Sequence, residues 1–469
     1  MSKCITRRAF LGYVGTGAIG ALLAACAPKV VKETVMVEKE VEKVVKETVV
    51  VQATAAPLPD IEFRCAMYNY VPQNNWFDVV SKAYTELHPN VKFKAEVAPW
   101  QEWNQKLYSQ YAAGTAPDLA DATYPDFILK NQVLELSEYF AKYPDFSWDN
   151  VWPALVDQVS YDIPTQRMGG PKKYCIPWDA IYWPWVGNLN LFEKAGVEPP
   201  KEDWKWADLA DIARKLTFDN KGRVSGSAGF DKDNVVQWGM SELTQYKSLF
   251  PMLIAYGGDF VNLDRSDKCM INSPEGKLCY QYVYDMLFKD YSLPTPIIME
   301  GLQGPFDAGQ IAISTGGSWM FGTWAASTKV KAQLLSQPRT PDGKFVTRLA
   351  CDTFSGYGKT KYPAELADVL KYMLDPVPQA LIAHVGEAIP SLKSATPLIK
   401  SVFASLSGIE TVEGILASKD YWTMYWGPKG NEIEQVYNQE IAPLWLGELT
   451  VEQALQNVET AVNKVLAQA

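Results

Sequence analysis

Between Ile61 and Ala113 the chain switches twice from a two-residue to a helical apolar period, and this alternation limits the fold more than any other feature. Ile61 to Tyr68 alternates as a strand does and ends at Asn69-Tyr70. Trp76 to His88 has helical spacing and stops before Pro89. Val91 to Val97 reads as a second strand, and Trp100 to Ala113 as a second helix closed by Gly114. Strand–helix–strand–helix order implies a parallel sheet covered by helices. The chain then runs on to Ala469, beyond the size at which one hydrophobic core keeps growing, so two α/β lobes are expected. Its later part reads as mostly helical, over Trp206–Leu216, Tyr246–Tyr256, Pro274–Asp290, Ala364–Leu374, Ser401–Leu406 and Val451–Ala467.

The first residues follow other rules. Arg7-Arg8 precede an apolar run from Leu11 to Ala25 that holds Gly12, Gly15, Gly17 and Gly20 and no acidic residue. At about 15 residues it is too short for a membrane span, which needs about 20. Leu23-Ala24-Ala25-Cys26 closes it and resembles a bacterial lipobox. That resemblance implies lipid on the Cys26 thiol, cleavage just before it, and a protein held on the outer face of the cytoplasmic membrane. The arginine pair followed by Phe10-Leu11 resembles a twin-arginine export signal. An ordinary Sec-type lipoprotein signal carries basic residues in the same place, so the export route stays open.

From Lys29 to Val51 the chain is almost wholly Val, Lys, Glu and Thr, and Val31-Lys32-Glu33-Thr34-Val35 recurs as Val45-Lys46-Glu47-Thr48-Val49. The repeat spans two heptads, which allows a short coiled coil, but a segment so rich in β-branched and charged residues reads better as an extended tether. Loss of Lys3, Arg7 and Arg8 with the signal takes the formal charge from -10 to -13. Such a chain repels phosphate backbones, so no nucleic-acid partner is expected. The mature body keeps Cys65, Cys175, Cys269, Cys279 and Cys351. Cys269 and Cys279 can pair in an oxidising compartment, although their apolar neighbours favour buried thiols.

Several motifs in order resemble the extracellular solute-binding proteins of carbohydrate ABC transporters, the maltose-binding-protein-like cluster called family 1. They are Ala113-Gly114-Thr115-Ala116-Pro117-Asp118-Leu119, Tyr174-Cys175-Ile176-Pro177-Trp178, Asn188 to Gly196, Tyr256-Gly257-Gly258-Asp259-Phe260, Asn272-Ser273-Pro274-Glu275, and Gln310 to Trp319. Cys175 stands where the family has glycine. The resemblance covers nearly everything after residue 60. It implies an α/β, two-lobed periplasmic-binding-protein fold, type II-like, with a hinge between lobes, a helical C-terminal region and a ligand in the interlobe cleft. The motif order places one lobe at 60–175 plus about 315–375 and the other at 180–310, with residues 376–469 packing across both. The implied partners are a sugar or oligosaccharide and the membrane permease subunits, with the receptor acting as a monomer.

Sugars present apolar C–H faces that stack on aromatic rings and hydroxyls that suit planar polar groups. Sixteen tryptophans make such a site easy to build. Strand ends in open α/β sheets point to Asn69, Tyr70, Tyr124, Asp126, Trp178 and Asp179 as ligand-binding candidates. If Trp178 to Trp185 is extended, Trp178 and Tyr182 face the cleft while Trp183 packs inward. Gly317, Ser318 and Trp319 are carried over from the family's cleft tryptophan motif, and Gly258 and Asp259 from its Gly-Gly-Asp stretch. Trp422, Tyr425 and Trp426 form a further aromatic cluster, and Glu387 is a weaker candidate beside Ile389-Pro390.

The only histidines are His88 and His384, and neither lies near a nucleophile elbow or in a metal-ligand spacing. No catalytic residue, cofactor or metal is expected. A secreted glycoside hydrolase or lyase, which needs only two carboxylates across a cleft, is the enzyme alternative. A receptor for a peptide or other non-sugar solute on the same architecture is the other.

Overall fold

The computed structural model describes residues 58–468, apart from 123, 242, 262–267, 387–388, 425–426 and 428. The export signal, Cys26, the tether, Glu387, Tyr425 and Trp426 lie outside the described residues.

The opening alternation builds the first sheet. Its strands run in the order Val91–Ala98, Ile61–Tyr68, Leu119–Ala120, Thr353–Gly356, Ile176–Pro177. The first three are mutually parallel, in a register from Ile61 beside Val91 to Tyr68 beside Ala98; the last two pair antiparallel. Ile61, Phe63, Cys65 and Met67 point to one face, into a core with Trp76, Phe77, Val80 and Tyr84 of the helix Val71–Leu87. Ala66 points to the other, beneath Trp103, Leu107 and Tyr111 of the helix Trp100–Ala113. Gly114 ends that helix in the left-handed conformation (φ 69°), which the Gly-Thr-Ala-Pro-Asp sequence leads one to expect. The first helix starts earlier than Trp76 because Pro72 sits in its first turn, where a missing N–H costs nothing.

A second sheet runs Phe218–Asp219, Val235–Met240, Ile311–Thr315, Trp185–Asn188, Ala332–Leu335. Its core holds Trp185, Trp206, Leu209, Phe250 and Tyr280. Ala332–Leu335 pairs with Trp185–Asn188, so the chain returns to the first body near Thr347 rather than near residue 315. The helices Gly430–Trp445 and Val451–Leu466 also differ from expectation. Their buried faces, including Tyr437, Leu444, Leu455, Val458 and Val462, join the second core instead of spreading evenly over both. Gly430–Trp445 carries Pro443 in its interior, which masks its helical pattern in the sequence. The helix expected at Ser401–Leu406 lies instead at Leu398–Val402.

A small sheet joins the two bodies. Asp179–Tyr182, which connects the first sheet to the second, lies antiparallel to Thr347–Ala350, which runs the other way. Ile389–Pro390 and Tyr421–Trp422 flank the pair. Gln379, fully buried, secures one end: its amide donates to the Trp178 carbonyl at 2.9 Å and its oxygen accepts from the Ser391 N–H at 2.9 Å. All five described cysteines are free thiols, Cys269 and Cys279 among them, both buried. Burial pushes these two thiols up to about 12.

Glu96 ties the second strand to its neighbours, accepting from Arg64 Nε at 2.8 Å and Lys106 Nζ at 3.1 Å. The Arg64 hydrogen bond is the main reason its carboxyl falls from 4.5 to about 2. A depressed carboxyl stabilises the fold fully above its unfolded pKa, and that stability is lost as pH falls toward the folded value. Glu96→Gln should therefore flatten the loss of stability between pH 4.5 and about 2, measured by urea unfolding over a pH series; Arg64 is partly solvent-screened, so the effect should shrink in high salt.

Candidate functional site

A cleft of about 770 Å³ opens along the small central sheet, with residues of both bodies on its walls. The first body supplies rings. Trp100, 55% exposed, meets Tyr68 edge-on at 5.1 Å and leans on buried Trp103 at 5.1 Å. Tyr70 stacks on Tyr68 at 6.1 Å, and Tyr108 lies 5.1 Å from Tyr124. Their hydroxyls are held in place. Tyr68 donates to Asp352 Oδ2 at 3.0 Å, Tyr124 donates to Asn104 Oδ1 at 2.9 Å, and the Asn431 amide donates to the Tyr108 hydroxyl at 2.7 Å. The last bond reaches from the C-terminal helix across to the first body. A fixed row of amphipathic rings is a stacking platform that loses little entropy when a ligand settles on it.

The opposite side is charged. Arg348 projects from the crossing strand Thr347–Ala350, and Lys247 from the first turn of the helix Tyr246–Ala255. Asp352 and Glu434 lie nearby, the latter accepting from the Tyr246 hydroxyl at 2.7 Å. Burial raises the Asp352 carboxyl, against the opposing pull of the Tyr68 hydroxyl, Arg348 and Lys247. Burial lowers Lys247, and Arg348 lowers it further. Asp126, also on the cleft, is raised by burial and steadied by Lys130 at 3.6 Å.

Trp319 stands in the 3-10 turn Ser318–Met320 that follows the strand Ile311–Thr315, its ring edge-on to Trp183 at 5.4 Å. A Cβ on Gly317 would fall 1.9 Å from the Trp319 ring, so a larger residue there would displace the ring. The arrangement sets aromatic faces against hydrogen-bonding groups across an opening between two bodies, and such a cleft can hold a solute of moderate size.

The sequence profile of the bacterial extracellular solute-binding proteins matches residues 72–380. The chain belongs to this family. Among solved structures, it is similar to an ABC substrate-binding protein from Listeria monocytogenes in complex with cycloalternan, at a TM-score of 0.73 and 21% identity, over 87% of this chain and 99% of that one. It also resembles the cyclic α-maltosyl-1,6-maltose binding protein of Arthrobacter globiformis, at a TM-score of 0.69 and 22% identity, over 88% and 100% of the two chains. These likenesses establish the two-lobed α/β fold. A Brucella abortus protein whose name goes no further than "binding protein" is 27% identical over 177 residues, 36% of this chain and 39% of that protein. The match therefore spans about two fifths of that curated relative's length. No helix among the described residues is long and apolar enough to cross a membrane.

Within this solute-binding fold, the expected site residues divide sharply. Tyr70, Tyr124, Asp126 and Trp319 line the cleft together. Asn69, beside Tyr70, does not. Trp178 is fully buried in the first core, 5.2 Å from the Trp76 ring, and Tyr182 is buried under the central sheet. The alternation expected along this strand is present but its faces are swapped: Ile181 lines the cleft and Trp183 backs Trp319, while Trp178 and Tyr182 face the cores. Asp179 accepts the Asp352 N–H at 2.8 Å and so clamps the two crossing strands. Ser318, buried, accepts the Tyr182 N–H at 3.2 Å. Gly258 makes room for Leu253, whose Cδ1 would lie 2.4 Å from a Cβ there, and Asp259 accepts the Phe260 N–H at 2.7 Å. Trp422 packs edge-on against Phe250 at 5.5 Å in the second core.

Tyr68, Trp100, Tyr108, Lys247, Arg348, Asp352 and Glu434 were not singled out from the sequence. Tyr68 and Trp100 border the Asn69-Tyr70 strand end and were within reach of that argument; the others arrive from distant segments. Trp178→Ala should cost about 3–5 kcal/mol of stability, the range for emptying a large buried aromatic site. In a urea titration and parallel binding assay, solute affinity of the folded fraction should stay near wild type.

Proposed function

We propose that this chain is the extracytoplasmic receptor of an ABC importer and that it binds a sugar or oligosaccharide in the central cleft. It acts as a monomer, exported and then tethered to the outer face of the cytoplasmic membrane by lipid on Cys26. The observation that carries the ligand reading is the ring platform of Tyr70, Trp100, Tyr108 and Tyr124 set opposite Trp319 and the charged groups of the second wall. Sugar C–H faces stack on such rings, and their hydroxyls bond to the polar groups between them. The solved relatives in complex with cycloalternan and named for a cyclic maltosaccharide support the same class.

Two crossing strands give the mechanism. Solute docks on the platform of the first body, and contacts to Trp319, Tyr246 and their neighbours stabilise a closed form by rotation about the central sheet. The closed form then engages the permease, and the Lys29–Val51 tether keeps the receptor within reach of it. Export by the twin-arginine route fits Arg7-Arg8 and a body able to fold before translocation.

A thermal-shift screen over sugars, polyols and peptides tests the ligand class: stabilisation by a peptide but by no sugar would replace the sugar reading. Release of cleaved product from oligosaccharides, lost in Asp126→Asn, would replace binding by hydrolysis. Trp319→Ala should weaken solute binding by more than tenfold, about 1.4 kcal/mol; unchanged affinity by calorimetry would remove Trp319 from the site. Cys26→Ala should move the protein from the membrane to the soluble fraction on cell fractionation and abolish labelling by radioactive fatty acid.

A further inference from the structure

Among the described residues, two cations on the cleft wall make no close ion pair. Among the described residues, the Arg348 side chain makes no hydrogen bond or close ion pair, and its Nε and Nη1 are closed off from water with no acceptor. Lys247 likewise has no ion-pair partner there. The two share one aromatic surface: the Arg348 guanidinium lies 5.1 Å and Lys247 Nζ 5.8 Å from the Trp183 ring centre. Two like charges on one ring repel, and Lys247 also sits in the first turn of a ten-residue helix, at the positive end of its dipole.

Asp352 and Glu434 act on both cations through space, but neither forms a close ion pair with them. Glu434 accepts from the Tyr246 hydroxyl, Asp352 from the Tyr68 hydroxyl, and Asp126 is held by Lys130. Asp121 is within electrostatic reach of Tyr68 and Tyr124 on the far wall. Desolvating a guanidinium without an acceptor is costly. The cation–π contact offsets only part of this. Arg348 cannot swing away readily, since Thr347 and Arg348 pair with Tyr421 and Trp422, and its carbonyl accepts the Trp183 N–H at 3.2 Å. The guanidinium is therefore held at the cleft wall.

Resting on the reading of the chain as a sugar receptor, we propose that its solute is an acidic sugar whose carboxylate is received by Arg348 and Lys247 while its ring stacks on the tyrosine–tryptophan wall. A neutral hydroxyl can accept a hydrogen bond from the guanidinium but brings no charge to relieve the pair; a carboxylate does both, and charge-assisted bonds are roughly twice as strong as neutral ones.

The test is calorimetry on the purified protein with matched probes: glucuronate against glucose, galacturonate against galactose, and digalacturonate against a neutral galactose disaccharide. An acidic probe should bind more than tenfold tighter than its neutral partner, and Arg348→Gln should abolish that preference while Arg348→Lys retains part of it. Neutral probes binding as tightly as acidic ones would overturn this proposal and leave the sugar receptor standing. Binding of neither class would overturn both. Melting supplies a readout that needs no ligand: Arg348→Gln should melt no lower than wild type, because the side chain gives up no hydrogen bond or close ion pair. A marked fall would make Arg348 a structural strut and sink the idea.

Discussion

The pairing of Asp179–Tyr182 with Thr347–Ala350 is the constraint on which the rest depends. These extended segments carry the chain in opposite directions between two separately packed cores, hydrogen-bonded side by side. The pairing reaches beyond the sheet proper, with the Trp178 N–H donating to the Asp352 carbonyl at 3.1 Å and the Asp179 carboxylate accepting the Asp352 N–H. One face of the ribbon is sealed by the cores and the other forms the back of the cleft. A register slip of one residue would send Trp178 and Tyr182 into the opening and Ile181 and Trp183 into the cores. Gln379 and Ser391, both fully buried and mutually bonded, help hold the register.

The cleft inherits its chemistry from where those strands place their neighbours. Rings arrive from the ends of the first sheet and the helix that follows, where short polar hydrogen bonds hold their edges. Charges arrive from the crossing strand and from the start of the helix Tyr246–Ala255. The aromatic wall is satisfied as it stands, with Tyr68, Tyr108 and Tyr124 all hydrogen-bonded. On the cationic wall, Arg348 Nε and Nη1 have no acceptor among the described residues. Leaving a buried donor without an acceptor costs free energy, and an acceptor brought by a ligand would recover it.

Motifs that mark the family turn out to have mixed meanings. Gly114 provides a left-handed helix end, Gly258 clears space for Leu253, and Gly317 lets the Trp319 ring fold back over the backbone. Of these, only the last stands next to the cleft. Ser318 and Asp179 are polar residues in suggestive places that bond to the backbone of the crossing strands instead. Motif order thus identifies the fold well and picks out few of the residues that line the cleft, because much of it records close packing and turn geometry.

The sequence by itself determined the first sheet and its helices, the left-handed stop at Gly114, the two-body division and the family. Each rests on short-range periodicity, on turn chemistry, or on chain length against the size of one core. It also pointed to Tyr70, Tyr124, Asp126 and Trp319, whose strand-end or motif positions are readable locally. Only the tertiary structure decided which face of Trp178–Trp185 looks outward, since alternation gives parity but not direction. It alone brought Lys247, Arg348, Asp352 and Glu434 to one wall, because pairing between segments some 170 residues apart depends on the closure of both cores. The helix Gly430–Trp445 was hidden for a related reason: Pro443 argues locally against helix, and burial of the apolar face overrides that preference.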